Sequence, residues 1–223
     1  AVGASVVGDS FFTNITTMQA ELSLNYLYCG AYTPPKIYRF TTSLVQSATL
    51  DLTAYAGYPV AGCIDTANRF LYIATLNTPF RVVKIDLASF SVVSTLAMPA
   101  GNTIPNYGVI DNVNNVAYFV TSTSPVRVLK IDLTTFTWLA TLTLTGTTGS
   151  ASILTIDVTN QLLYTAAYVT SFPSIVYKID LVSFTVSETL TLSTGGVIRS
   201  VANDTDNGLL YFGDNSSPAN IFK

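Results

Sequence analysis

An all-β fold is predicted by three observations: a repeat of 45 to 48 residues, four short strand-like runs inside each copy, and no run of helical period. A basic residue recurs at Arg39, Lys84, Lys130, Lys178 and Lys223, spaced by 45, 46, 48 and 45 residues. A proline stands five residues before each, at Pro34, Pro79, Pro125, Pro173 and Pro218. A second signature, an acidic residue and an asparagine ahead of a tyrosine, ends at Tyr28, Tyr72, Tyr118, Tyr164 and Tyr211. Four antiparallel strands at this period make one blade of a β-propeller, so the expected architecture is a five-bladed β-propeller of four-stranded blades.

Residues 60–96 show how one copy is built. Val60–Asp65, Phe70–Ala74, Arg81–Asp86 and Phe90–Leu96 are short runs rich in β-branched and aromatic side chains. Between the first two lies Asp65-Thr-Ala-Asn68, repeated at residues 111–114, 157–160 and 204–207, and such Asp and Asn residues hydrogen-bond their own backbone in hairpin turns. The segment Lys-Ile-Asp-Leu-x-x-Phe at residues 84–90, 130–136 and 178–184 makes the third connection in the same way. Burial of both sheet faces between neighbouring blades accounts for strands of nearly continuous hydrophobicity.

The blades are expected at residues 15–52, 60–97, 106–144, 152–192 and 198–223, the last completed by residues 1–8, within a single domain spanning 1–223. Residues 1–8 align with residues 45–52 and read as a fourth, outermost strand. Residues 198–223 read as first, second and third strands, so pairing the two fragments would close the ring and remove an open edge. The rival arrangement is a segment of a longer propeller or array.

Charge is scarce: 10% of the residues are charged, 49% are hydrophobic and the net charge is −3. With no basic run, the chain lacks the electrostatic footprint of a nucleic-acid binder. Threonines and turns interrupt every apolar stretch, and no membrane-inserted segment is expected. A surface covered by Thr, Ser and Asn suits an extracellular or cell-surface protein. The sequons at Asn14, Asn203 and Asn215 point the same way as glycosylation candidates. Cys29 and Cys63, the only cysteines, are either buried free thiols or a disulfide joining adjacent units.

The pattern Asp-x-x-Asn-x-x-Leu-Tyr-x-Ala, followed by Val-x-x-Ile-Asp-Leu-x-x-Phe-x-Val-x-x-Thr-Leu, resembles the tyrosine-valine-threonine-asparagine propeller repeats of surface-layer and cell-surface proteins, relatives of lactonase-like propellers. The resemblance covers essentially the whole chain. It departs where Asp-x-x-Asn replaces the family's Asp-Gly turn and where Tyr-Ile-Ala-Thr or Tyr-Phe-Val-Thr replaces its Tyr-Val-Ala-Asn strand. It implies the propeller fold and a cell-surface setting.

Candidate chemistry is sparse. The chain has no histidine, no phosphate loop and no zinc spacing, and neither a metal site nor a cofactor is expected. Glu21, Asp65, Asp111, Asp157 and Asp204 would line one end of the blades as a carboxylate ring, yet their hairpin positions assign them to turn capping, as for Asp86, Asp132 and Asp180. Asp9, Asp51, Asp206 and Asp214 remain, too scattered for an acid–base pair. The repeated cations are expected in ion pairs within a blade or at solvated strand edges. The loops at the opposite end carry Phe11, Phe12, Tyr32, Tyr55, Tyr58, Phe80, Tyr107, Tyr168 and Phe172, a candidate ligand or assembly face, because rigid aromatic rings lose little entropy on binding. The expected function is a non-catalytic structural, self-assembling or binding module of a surface layer or extracellular filament, with copies of itself or other cell-surface proteins as partners. A lectin-like module binding glycans and a lactonase-like or glycosidase-like hydrolase are the alternatives.

Overall fold

A computed structural model of the chain describes residues 15–21, 25–55, 57–146, 149–168, 174–192, 195–205 and 207–223. The chain divides into two compact units, Ala1–Gly101 and Asn102–Lys223. The strand expected at residues 1–8 lies outside the described residues, as do Phe11, Phe12, Asn14, Phe172 and Asp206.

The first unit holds two four-stranded antiparallel sheets in chain order. One comprises β1 (Ile15–Glu21), β2 (Tyr26–Ala31), β3 (Lys36–Thr41) and β4 (Gln46–Asp51); the other comprises β5 (Tyr58–Asp65), β6 (Phe70–Leu76), β7 (Arg81–Asp86) and β8 (Ser91–Ala97). In the second unit, β9 (Pro105–Asp111), β10 (Val116–Thr121), β11 (Arg127–Asp132) and β12 (Thr137–Thr143) form one sheet. A second is made of β13 (Ala151–Asp157), β14 (Leu162–Tyr168), β15 (Ser174–Asp180) and β16 (Thr185–Leu192). The described residues of the last sheet are β17 (Ile198–Asp204), β18 (Leu209–Asp214) and β19 (Ile221–Phe222).

Local chemistry sets these hairpins. The first turn of each sheet ends on a left-handed residue, Asn25, Arg69, Asn115, Gln161 or Gly208, with φ between 53° and 65°. The third turn ends on a left-handed Phe90, Phe136 or Phe184 at φ 48–53°. A bulky side chain at positive φ is strained and persists where tertiary contacts hold it. Each fourth strand then carries a bulge opposite the repeated cation, at Arg39/Phe40, Lys84/Ile85, Lys130/Ile131 and Lys178/Ile179. The bulge leaves Ser47, Val93, Leu139 and Ser187 without a cross-strand partner. Such bulges interrupt the ladder that an outer edge would otherwise offer to another strand.

Sheets pack face to face within each unit. In the first, Tyr28, Ile37 and Leu52 meet Leu71, Ile73, Val83, Ile85, Leu87 and Phe90 in one core. In the second, Tyr118, Val126 and Val128 join Leu163, Tyr177, Ile179 and Leu181, while Ile153, Ala166 and Val176 meet Ile198 and Phe212. First strands run side by side, β1 with β5 and β13 with both β9 and β17. Side-chain amides stitch them: Gln19 Nε2 donates to the Gly62 carbonyl (2.9 Å), Asn106 Nδ2 to that of Ala151 (2.6 Å) and Asn203 Nδ2 to that of Ile156 (3.1 Å). Fourth strands are the exposed ones, with Val93, Trp138, Leu139 and Leu190 open to solvent.

Candidate functional site

At the turn end of each sheet the repeated carboxylates are bound into their own hairpins. Asp65, Asp111 and Asp157 are buried. Each accepts a backbone N–H and the side-chain amide of the asparagine three residues on, Asn68, Asn114 or Asn160, at 2.8–3.0 Å. Asp204 is held by Asn207 in the same way. Asp86, Asp132 and Asp180 accept the N–H of Ser89, Thr135 and Ser183 at 2.7–2.8 Å, and these bonds hold their carboxyls below the usual range. Among the described residues no group of three or more His, Cys, Asp or Glu could hold a metal ion.

The repeated cations depart from the expected ion pairs because aromatic rings surround them. Arg39 Cζ lies 4.7 Å from the Tyr26 ring centroid and 4.9 Å from that of Phe90 in the next sheet. Lys84 Nζ sits 4.0 Å from the centre of Phe70. Lys130 Nζ is 5.4 Å from Phe184, a residue of the following sheet, and donates to the Leu181 carbonyl there at 3.3 Å. A cation over a ring gains from the ring's quadrupole while the stem covers apolar surface. Lys178 alone of this set follows the expectation, pairing with Glu188 at 3.3 Å.

The loop end does not bring the nine aromatics together on one open face. Phe80 is 0% exposed and belongs to the core, which corrects its assignment to a recognition surface. Tyr32 and Tyr58, from neighbouring sheets, stack on each other with centroids 3.8 Å apart and planes 15° from parallel, so each ring has one face already engaged. Tyr55, at the end of a short 3-10 turn over Thr53–Tyr55, is half-buried and packs on the first unit's core. Tyr107 is exposed but sits within β9 rather than in a loop. Tyr168 ends β14 and is half-buried.

The scattered carboxylates are likewise occupied. Asp51 accepts the Thr53 N–H at 2.7 Å. Asp214 accepts from the backbone of Gly196, Ser216 and Asn220 and from the side chains of Ser216 and Asn220. Desolvation would raise its pKa, but the donors of Asn220, Gly196 and Ser216 prevail and hold the carboxyl well below the usual range. A carboxylate so stabilised is a poor general base. Sequence reasoning missed this cage because its donors come from two separate loops.

Cys29 and Cys63 are free and buried, which corrects the disulfide alternative. Strand alternation explains it: Tyr28 faces the second sheet, so Cys29 points to the opposite face and packs with Tyr38 and Phe40, away from the sheet bearing Cys63. Burial raises the Cys29 thiol, and burial with the Asp65 charge raises that of Cys63. Of the sequons, Asn203 uses its amide in the bridge to Ile156, so this strand position is a poor acceptor. Asn215 is exposed, with its Oδ1 accepting the Val197 N–H at 2.9 Å.

One concavity has no counterpart in the sequence reading. A groove of about 250 Å³ lies between the last two sheets, lined by Tyr164, Val176, Lys178, Leu190, Leu210 and Phe212.

No protein-family model matches the chain, and no curated protein matches it. Solved structures do. Hydrazine synthase of Kuenenia stuttgartiensis superposes with a TM-score of 0.78 at 14% identity, over 97% of this chain and 60% of that one. The RRP9 WD40 repeats give 0.67 at 11% identity over 89% and 57%, and the Dos1 propeller 0.69 at 11% over 90% and 52%. The fold is that of a β-propeller. The chain spans about six tenths or less of the length of these propeller-containing chains.

Proposed function

We propose that the chain is a non-catalytic, secreted or cell-surface β-propeller that works as a self-assembling structural or binding module. The observation that carries this is the chemistry of the outer strands. β4, β8, β12 and β16 hold only Asp51 and Glu188 as charged residues, yet expose Val93 (53%), Trp138 (41%), Leu139 (47%) and Leu190 (56%). Apolar side chains on a weakly charged perimeter favour contact with further copies or other surface proteins. The turn carboxylates supply no acid–base pair, since each is engaged by backbone and amide donors. A lectin reading is weaker, because the Tyr32–Tyr58 stack uses ring faces that a sugar would need. A hydrolase reading lacks a free carboxylate pair.

Within the same proposal the single domain has five blades, and residues 1–8 complete the last one as its outermost strand. Five copies of the repeat support this count, as does the shortness of β19 beside the full-length third strands of the other sheets. Sedimentation of the purified chain over a wide concentration range, with electron microscopy of the pelleted material, tests assembly. Rings or fibres are expected, and a monomer at every concentration overturns it. Deleting residues 1–8 should lower the melting temperature by several degrees, and an unchanged value refutes the fifth-blade closure.

A further inference from the structure

In the first two sheets, the face of Tyr28 is covered by Ile85, Leu87 and Phe90 of the following sheet. The third and fourth sheets repeat this: Tyr118 is covered by Ile179, Leu181 and Phe184. Both covers are one segment, Lys-Ile-Asp-Leu-x-x-Phe, which ends the third strand and turns into the fourth. Its ring lies 6.0 Å from the tyrosine in each case, Phe90 on Tyr28 and Phe184 on Tyr118. In the second case its backbone accepts a hydrogen bond from the cation, Lys130 Nζ to the Leu181 carbonyl.

The corresponding place between the fourth and fifth sheets is the groove. Tyr164 and Lys178 are its tyrosine and cation, and Leu210 and Phe212 stand where Leu71 and Ile73 stand in the second sheet. Among the described residues β19 pairs only with Phe212 and Gly213, so Leu209, Leu210 and Tyr211 have no partner on that side of β18. Lys178, without a ring or carbonyl from a following third turn, has turned to Glu188.

We propose that this groove is a strand-accepting site for a partner polypeptide carrying apolar residues at the spacing Ile-x-Leu-x-x-Phe. The strand extends the fifth sheet by pairing with Leu209–Tyr211 of β18, the mode in which main-chain hydrogen bonds give affinity and alternate side chains give specificity. Its Ile and Leu pack on Leu210 and Val176, and its Phe covers Tyr164. Lys178 exchanges Glu188 for the ring and a backbone carbonyl of the incoming turn. The proposal rests on the reading of the chain as a binding or assembly module and names the chemistry of one partner.

The probe is a fluorescently labelled peptide with the sequence of residues 176–188, titrated with the full chain and followed by anisotropy. Saturable binding is expected. Replacing the peptide's phenylalanine, the counterpart of Phe184, by Ala should weaken it tenfold or more, in keeping with the loss of a ring from an apolar site. Leu210→Asp in the chain should abolish binding while far-UV circular dichroism stays unchanged, and Lys178→Gln, a milder change at the rim, should weaken it severalfold. Equal binding of a shuffled peptide, or full binding by both variants, overturns the proposal. Binding that appears only after residues 1–14 are deleted also overturns it, because the chain's own segment would then be the occupant. Assembly that persists without peptide binding sinks this inference alone and leaves the proposed function standing.

Discussion

Phe90 is the sharpest test of how the repeat is held together, because backbone strain and burial meet in one residue. Its φ of 48° is in the left-handed region, and its ring is 9% exposed against Tyr28 and Arg39. Removing a buried phenylalanine ring costs about 3–5 kcal/mol in other cores, and the ring and cation contacts place Phe90→Ala in that range. Alanine retains the left-handed penalty of about 1–2 kcal/mol, whereas glycine does not. Glycine gives back about 0.5–1 kcal/mol through the greater freedom of its unfolded chain. Phe90→Gly should therefore be at least as stable as Phe90→Ala, the reverse of the order expected at Val83 inside β7. Urea unfolding followed by far-UV circular dichroism measures both. A loss below about 1 kcal/mol for Phe90→Ala, or a glycine variant weaker than the alanine variant by that much, would refute the reasoning.

Three further outcomes follow from the hydrogen bonds and burial. Asp111→Ala strands the donors of Val113 and Asn114 in a buried turn and should cost about 1–3 kcal/mol by urea midpoint, whereas Asp204→Ala, in an exposed turn, should cost less. Asp86, Asp132 and Asp180 have depressed pKa values, so the folded state gains stability above the unfolded carboxyl pKa near 4 and loses it as pH falls through the folded values. Unfolding midpoints should be flat from neutral pH to about 5 and decline below 4, and a stability that rises on acidification contradicts this sign. Unreduced native protein should show no rapid alkylation at Cys29 or Cys63, because both thiols are buried with raised pKa values, and both should react once unfolded.

Much of the fold was legible because period and turn chemistry are local. The Asp-x-x-Asn hairpins require nothing beyond four residues, and Asp65, Asp111, Asp157 and Asp204 cap them as expected. The site was less legible because side chains there take partners from other sheets. Composition reads Phe80 as a loop aromatic, yet its neighbours in space put it in the core. The cations illustrate the same limit: aspartates two residues away suggested ion pairs, but those aspartates are taken by Ser89, Thr135 and Ser183, and the cations turn to aromatic rings. Strand alternation could have separated Cys29 from Cys63 once Tyr28 was assigned to the face toward the second sheet.

The division of labour within one repeat bears on where recognition sits. Turn-end carboxylates are saturated by donors of their own hairpins, so a partner approaching there meets satisfied groups and little apolar surface. Loop-end rings are either core, as Phe80, or mutually stacked, as Tyr32 and Tyr58. What stays unsatisfied is lateral: exposed Val93, Trp138 and Leu190 on outer strands, and the uncovered tyrosine face beside β18. The bulges at Val93 and Leu139 discourage indiscriminate edge pairing along those strands. A partner strand is accordingly directed to the segment of β18 whose backbone is open and whose side chains match the covers used elsewhere in the chain. The same packing rule that joins one sheet to the next thus doubles as the specificity of the binding edge.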